Sequence, residues 1–228
     1  MRIAEVFYSI QGEGKLAGVP SVFVRISGCN LRCVWCDTPY ASWNPEGEDV
    51  DIDRIIAQVG QYPARHVVIT GGEPMISPEI TQLTERFRDD GYHITIETAG
   101  TVYDDVACDL ASVSPKLANS TPHDREGGRY AEQHDRLRLN VPVIRRFIEG
   151  FDYQLKFVVD QPADLDEIDA LLGQLGDVES SKVLLMPQGI NARELSNRSP
   201  WLVEICKARG FSFCPRVHIM LYGDVRGR

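Results

Sequence analysis

The sequence predicts an α/β fold, a partial and open barrel of the (β/α)6 type with mostly parallel strands. Three observations predict it. Short apolar, β-rich runs alternate with amphipathic helical patterns along the chain, as βαβ units do. About six such units fit, fewer than the eight that close a full barrel. Polar or glycine-rich motifs end two of the runs, Thr70-Gly71-Gly72-Glu73-Pro74 and Glu97-Thr98-Ala99-Gly100, and parallel α/β folds place their sites at the C-terminal ends of strands.

Residues 20–27 (PSVFVRIS) form the first long strand. Asp51 is the N-cap of a helix with Ile52, Ile55, Ile56 and Val59 on one face. Residues 66–70 (HVVIT) are a short buried strand. Ser77-Pro78 opens a second helix, with Ile80, Leu83 and Phe87 inward and Gly91 as its stop. Further strands are expected at 93–98, 108–114, 153–159 and 182–186, and further helices at 165–175 and 200–209. The polar, Gly-rich segment 119–135 is expected to be a mobile loop.

The chain has 228 residues. At roughly 150 residues per domain, that fits a single domain over 1–228, long enough to bury a full core. Hydrophobic residues make up 43% and charged residues 25%, too apolar for a disordered chain. Lys+Arg minus Asp+Glu is 24 − 33 = −9, which argues against a nucleic-acid partner but leaves room for a small anion held by a few placed cations. Apolar stretches such as 183–186 fall far short of the ~20 residues of a membrane helix, and the start lacks a signal-peptide pattern. A cytoplasmic protein with no membrane partner is expected.

Three of the six cysteines crowd into Cys29-Asn30-Leu31-Arg32-Cys33-Val34-Trp35-Cys36, a C-x3-C-x2-C loop directly after the first long strand. Iron–sulfur clusters take thiolate ligands. Three ligands on a 4Fe–4S cube leave one iron open, and an open position lets a metal centre bind a second molecule, as open zinc sites do. The alternatives are a structural zinc with a fourth ligand elsewhere, although no second C-x2-C pair exists, and three unrelated thiols.

Cys29-x3-Cys33-x-Trp35-Cys36, with an aromatic before the third cysteine, resembles the signature of the radical S-adenosylmethionine (SAM) enzymes. Gly71-Gly72-Glu73-Pro74 resembles that superfamily's SAM-binding motif. The resemblance implies a radical SAM core: Cys29, Cys33 and Cys36 hold a 4Fe–4S cluster, SAM chelates the open iron, and the Gly-Gly backbone with Glu73 receives the SAM ammonium.

Three more elements narrow the resemblance. Tyr8-Ser9-Ile10-Gln11-Gly12-Glu13-Gly14 precedes the first long strand and, lacking Gly-Lys-[Ser/Thr], is not a phosphate loop. Arg25 lies inside the apolar run Val22-Phe23-Val24-Arg25-Ile26, where a buried guanidinium needs a partner, either a ligand carboxylate or a structural acid. Asp37-Thr38 follows Cys36, and its oxygens suit Mg²⁺ or a simple turn. Together with Glu97-Thr98-x-Gly100-Thr101, Ser112-Val113-Ser114-Pro115-Lys116, 155–159, Met186-Pro187-Gln188, Pro215-Arg216-x-His218 and Gly223-x-x-Arg226-Gly227, these resemble the 7-carboxy-7-deazaguanine synthases over nearly the whole chain.

That resemblance implies a carbon–nitrogen lyase of the queuosine and deazapurine pathway. It contracts the ring of 6-carboxy-5,6,7,8-tetrahydropterin with loss of ammonia and uses SAM catalytically through a 5′-deoxyadenosyl radical that takes hydrogen from C6. It implies that Ile10, Gln11, Gly12, Glu13, Arg25, Thr70 and His218 bind the pterin. Trp35, Cys36, Asp37, Gly72, Glu73, Ser114, Pro115, Lys116 and Gln188 bind SAM. Thr38 holds Mg²⁺, with Asp37 close by. It further implies an N-terminal substrate-binding segment (1–19), a closing C-terminal tail (about 211–228), a flavodoxin- or ferredoxin-type reductant and a homodimer. The tail departs from the Gln-x-His-Lys ending of one branch, having Arg216-Val217-His218-Ile219 instead. Rival readings are a glycyl-radical activating enzyme, an electron carrier and a zinc-stabilised binding protein.

Other reactive residues are expected to be structural. Cys206, Cys108 and Cys214 are placed in the core, His66 and His93 at the surface or in caps, and His123 and His134 in the polar loop. Lys156, within LKFVV, points either to the site or to solvent.

Overall fold

In chain order the computed structural model of residues 1–228 forms β1 (Arg2–Ile10), β2 (Pro20–Ile26), β3 (Glu48–Asp49), α1 (Ile52–Val59), β4 (His66–Gly71), α2 (Ile80–Asp89), β5 (His93–Thr98), β6 (Leu110–Val113), α3 (Ala131–Leu137), α4 (Val141–Gly150), β7 (Tyr153–Val159), α5 (Asp164–Leu175), β8 (Val183–Pro187), α6 (Ala192–Arg209), β9 (Ser212–Phe213) and α7 (Val217–Tyr222). All nine strands join one sheet, in the order β3-β1-β2-β4-β5-β6-β7-β8-β9. From β2 onward every neighbour is parallel, and β1 runs antiparallel to both β2 and β3. The edge strands β3 and β9 do not meet, so the barrel is open, as the count of β/α units predicts.

Strand alternation sorts the two faces. Val22, Val24, Ile26, Val67, Ile69, Ile94, Ile96, Leu155, Phe157, Val183 and Leu185 belong to the main core, joined there by Ile55, Leu83, Phe87, Ile144, Phe147 and Ile168 from the helices. The intervening residues line the inner, concave face, and many are polar. Ser21 Oγ meets His66 Nδ1 at 2.6 Å, His66 Nε2 meets Thr95 Oγ1 at 2.8 Å, and Gln154 Nε2 donates to Ser112 Oγ at 2.8 Å. Each of these buried polar groups has a partner, which is the condition for leaving it inside.

Asp51 caps α1 as predicted, accepting from the Arg54 N–H at 2.8 Å, and Gly91 ends the second helical segment with φ of 75°, where glycine is unstrained. Several expectations are corrected. β1 has no counterpart among the predicted strands, because its inner and outer residues mix polar and apolar types. α6 begins at Ala192, not at Pro200: Asn191 is its cap, accepting from Glu194 N at 3.0 Å, and Pro200 sits mid-helix while Leu195, Leu202 and Cys206 keep the buried face. α4, capped by Asn140, has no counterpart among the predicted helices. His66 is a buried strand residue rather than a surface cap.

Segment 119–135 is tied down rather than loose. Val34 N donates to Ser120 O at 2.8 Å, Arg125 Nη1 to Val34 O at 3.0 Å, and Thr121 Oγ1 to Asp135 Oδ1 at 2.9 Å. His134 lies in α3, is buried, and joins Arg32 N (3.0 Å) to Ser120 Oγ (2.9 Å). Polar composition reads as a loop, but here the polar groups pair with the cysteine loop.

Candidate active site

A cavity of about 500 Å³ opens over the C-terminal ends of the parallel strands, in the range of small-molecule sites. Cys29, Cys33 and Cys36 share its wall, with Gly71 and Gly72 from the end of β4, Ser114 and Lys116 after β6, and Gln188 after β8. Ile10, Gln11, Gly12 and Glu13 enter from the end of β1, Arg25 from β2, Thr70 from β4 and His218 from α7. Trp35, Asp37 and Thr38 complete the group. Of the predicted site residues only Glu73 and Pro115 are not in the wall.

Glu73 is placed otherwise than its motif suggested. Its carboxylate is fully buried and accepts from Thr98 Oγ1 (2.7 Å), Ala99 N (2.8 Å) and Met75 N (3.2 Å). It therefore clamps the β4 turn to the β5 turn, and burial raises its pKa. The backbone of the turn reaches the cavity. Gly72 is required there: a Cβ would lie 2.1 Å from Gly28 O and 2.5 Å from Ala41 O, so the turn packs directly on the start and end of the cysteine loop.

The cysteine loop is pinned at several points. Leu31 N approaches Cys29 Sγ at 3.3 Å, Trp43 Nε1 donates to Cys33 O at 2.9 Å, and Trp35 Nε1 to Asn119 O at 3.0 Å. All three thiols are free. Burial, reinforced by Glu73, pushes the Cys29 thiol up to about 12, and burial drives Cys33 upward as well. Such thiols ionise only against a strong cation, which an iron cluster supplies. Cys29, Cys33 and Cys36 share one cavity wall, and three thiolates are the donor type that an iron–sulfur cluster takes.

The other wall is ionic. Lys156 is buried, ion-pairs with Glu13 and lies 3.7 Å from Glu97. Arg216 Nε donates to Glu13 at 2.9 Å, and Arg216 Nη2 bonds Asp37 Oδ2 at 2.5 Å. Burial would raise the Glu13 carboxyl, but Lys156 and Arg216 outweigh it and hold it far below the carboxylate range. Burial would lower Lys156, and Glu13 with Glu97 keep it charged. Gln11 Nε2 (3.2 Å) and Thr70 Oγ1 (3.0 Å) both donate to Glu97. Arg25 Nε is held by Glu5 at 2.6 Å. Gly12 leaves space for His218, whose Nδ1 would be 1.9 Å from a Cβ at that position.

Lys156 thus points to the site. Glu97 and Arg216 were missed as site residues. A charge near the end of the apolar strand HITIET, and another inside LKFVV, was the available signal for Glu97 and Lys156, because a buried charge needs a partner. For Arg216 the available signal was its place in the motif Pro215-Arg216-x-His218.

Residues 23–123 match the radical SAM superfamily model. The chain is 46% identical to the 7-carboxy-7-deazaguanine synthase of Rhodopirellula baltica, over 99% of this chain and 88% of the relative. It is 45% identical to that of Halobacterium salinarum, over 97% and 90%. The chain belongs to the 7-carboxy-7-deazaguanine synthase family. The crystal structure of QueE from Escherichia coli superposes with a TM-score of 0.70 at 28% identity, covering 95% of this chain and 94% of that one. As a family member the chain is a radical SAM enzyme, a lyase of deazapurine biosynthesis, with the 4Fe–4S cluster and SAM that its superfamily implies. No helix is long and apolar enough to cross a membrane.

Proposed function

We propose that this cavity binds 6-carboxytetrahydropterin on its ionic wall and SAM on its thiol wall, within one domain spanning 1–228 whose segment 1–19 and tail 211–228 enclose the pterin. The observation that carries the reading is the Glu13 carboxylate, kept ionised by Lys156 and Arg216, in the same cavity as three free thiols. A carboxylate offers acceptors to the N–H donors of the pterin's guanidine-like edge. Gln11 and Glu97 extend that acceptor row. The Arg25 guanidinium keeps its Nη groups for the substrate's carboxylate while Glu5 holds Nε. His218 and the tail close the pterin face and exclude water.

Cys29, Cys33 and Cys36 would hold the cluster, and Trp35, Gly72, Ser114, Lys116 and Gln188, which line the same cavity, would hold SAM. When bound, the cluster and SAM would supply the radical chemistry, so little acid–base machinery is asked of the protein. Its residues fix the pterin and SAM in reacting distance. Thr38, with Asp37 nearby, would hold Mg²⁺, which prefers oxygen ligands. The reductant is a flavodoxin- or ferredoxin-type protein, the assembly a homodimer and the compartment the cytoplasm; family membership supports these.

The test is anaerobic turnover. Protein reconstituted with iron and sulfide, given SAM, a strong reductant, Mg²⁺ and the carboxytetrahydropterin, is expected to release ammonia and a product with the mass of 7-carboxy-7-deazaguanine while SAM persists. SAM cleavage without a deazapurine product would remove the substrate assignment.

A further inference from the structure

β1 carries one extra residue. Ile3 pairs with Ile26 and Glu5 with Arg25, so two steps on β1 match one on β2, and Ala4 is the bulge. A bulge shifts the phase of everything after it. Ile3 faces the main core before the bulge and Val6 packs against it after, while Phe7 lines the cavity. Glu5 therefore stands beside Arg25 on the inner face, where directly opposed side chains meet.

Three donors converge on the Glu5 carboxylate: Arg25 Nε at 2.6 Å, Tyr40 OH at 2.8 Å and Arg226 Nε at 3.2 Å. Arg226 comes from the last residues of the chain. Its Nη1 also reaches Glu46 Oε2 at 2.9 Å, its Nη2 the bulged carbonyl of Ala4 at 3.1 Å, and its guanidinium lies 4.1 Å over the Tyr40 ring. Residues 223–228 all line the cavity. One carboxylate thus contacts both the arginine in the cavity and the arginine that fastens the tail across its rim.

We infer that Glu5 is a positioning residue: it aims the free Nη edge of Arg25 at the substrate's carboxylate and, through Arg226, makes that aim depend on the C-terminal segment being folded over the cavity. The inference rests on the proposed role of Arg25. Glu5 touches neither substrate nor cofactor in this scheme. It acts by removing rotational freedom from Arg25, and tail closure in turn removes freedom and water from Glu5.

Binding to the cluster-loaded, SAM-bound protein without reductant tests this, with the carboxylated tetrahydropterin and the same pterin lacking its carboxylate as the two probes. Arg226→Ala, a change at the half-exposed rim, is expected to weaken the carboxylated pterin about tenfold and the other less than about twofold, the scale of one charge-assisted hydrogen bond. Glu5→Gln should do the same, and the double variant should be no weaker than Glu5→Gln alone, because the two residues act through one network. Hydrogen exchange at amides 223–228 should quicken in Glu5→Gln. Equal losses for both pterins, or additive losses in the double variant, would make Glu5 a structural ion-pair partner only and overturn the inference. If Arg25→Ala leaves carboxylated-pterin binding unchanged, the Arg25 reading fails by itself. The Glu5–Arg226 link then stands on quickened tail exchange and is overturned by unchanged exchange.

Discussion

Lys156 and Glu13 lie 143 positions apart and are ion-paired inside the cavity. β7 delivers the lysine, and the turn after β1 delivers the acid. Removing one partner leaves the other charge buried, whereas removing both restores neutrality. Lys156→Met is expected to cost about 2–4 kcal/mol of stability, softened because Arg216 still faces Glu13. The double variant Lys156→Met with Glu13→Gln should recover more than half of that loss while staying inactive. Urea denaturation of anaerobic protein measures both. A single variant as stable as wild type would mean that the pair carries no buried charge.

Two glycines should fail differently when changed to alanine. At Gly72 the added Cβ meets backbone oxygens of Gly28 and Ala41, which cannot swing away. Gly72→Ala should lower the melting temperature and weaken SAM binding at least about tenfold, since backbone shifts in a packed site cost about 1–3 kcal/mol. At Gly12 the Cβ meets the His218 ring, which can rotate. Gly12→Ala should fold normally and lose pterin affinity. Calorimetry and equilibrium dialysis separate the two patterns.

Only three of the six cysteines should matter to the cluster. Serine at Cys29, Cys33 or Cys36 is expected to abolish the brown chromophore and most bound iron. Serine at Cys108, Cys206 or Cys214, which lie off the cysteine loop, should retain both. Iron analysis and visible absorbance after reconstitution give the answer, with about four iron atoms per intact chain expected for one cube.

Stability should fall on mild acidification. Burial, with His93 beside it, pushes His66 down to about 4, and burial, with Arg138 beside it, does the same to His134. Unfolded histidine takes up its proton near 6.5. The folded protein is therefore fully favoured above that value and loses ground as pH falls from 6.5 toward 4. The loss by pH 5 is about 1–2 kcal/mol per histidine, seen as a melting temperature several degrees lower than at pH 7.5. His134→Gln should narrow that drop.

Much of this was legible in one dimension. The C-x3-C-x2-C loop and the Gly-Gly turn are local in sequence, so both can be picked out in one dimension and carry the resemblance to the family. The parallel strands announce themselves by apolar runs set between helical periods. The helix capped by Asn191 was misplaced because Pro200 is a strong local signal, and packing of Leu195 overrides it. Segment 119–135 was taken for a loop because polarity does not tell whether a polar group has a partner. His134, joined to the cysteine loop, shows that it can.

What the sequence by itself determined was the family, the three-cysteine loop and the α/β order, since each is written in neighbouring residues or in a short period. What only the tertiary structure decided was the pairing of charges: Glu13 with Lys156 and Arg216, Glu97 with Thr70 and Gln11, and Glu5 with Arg25 and Arg226. Periodicity records which face of a strand is apolar. It does not record which charge the curling sheet brings opposite, and the one-residue bulge at Ala4 is enough to turn Glu5 and Phe7 from one face to the other.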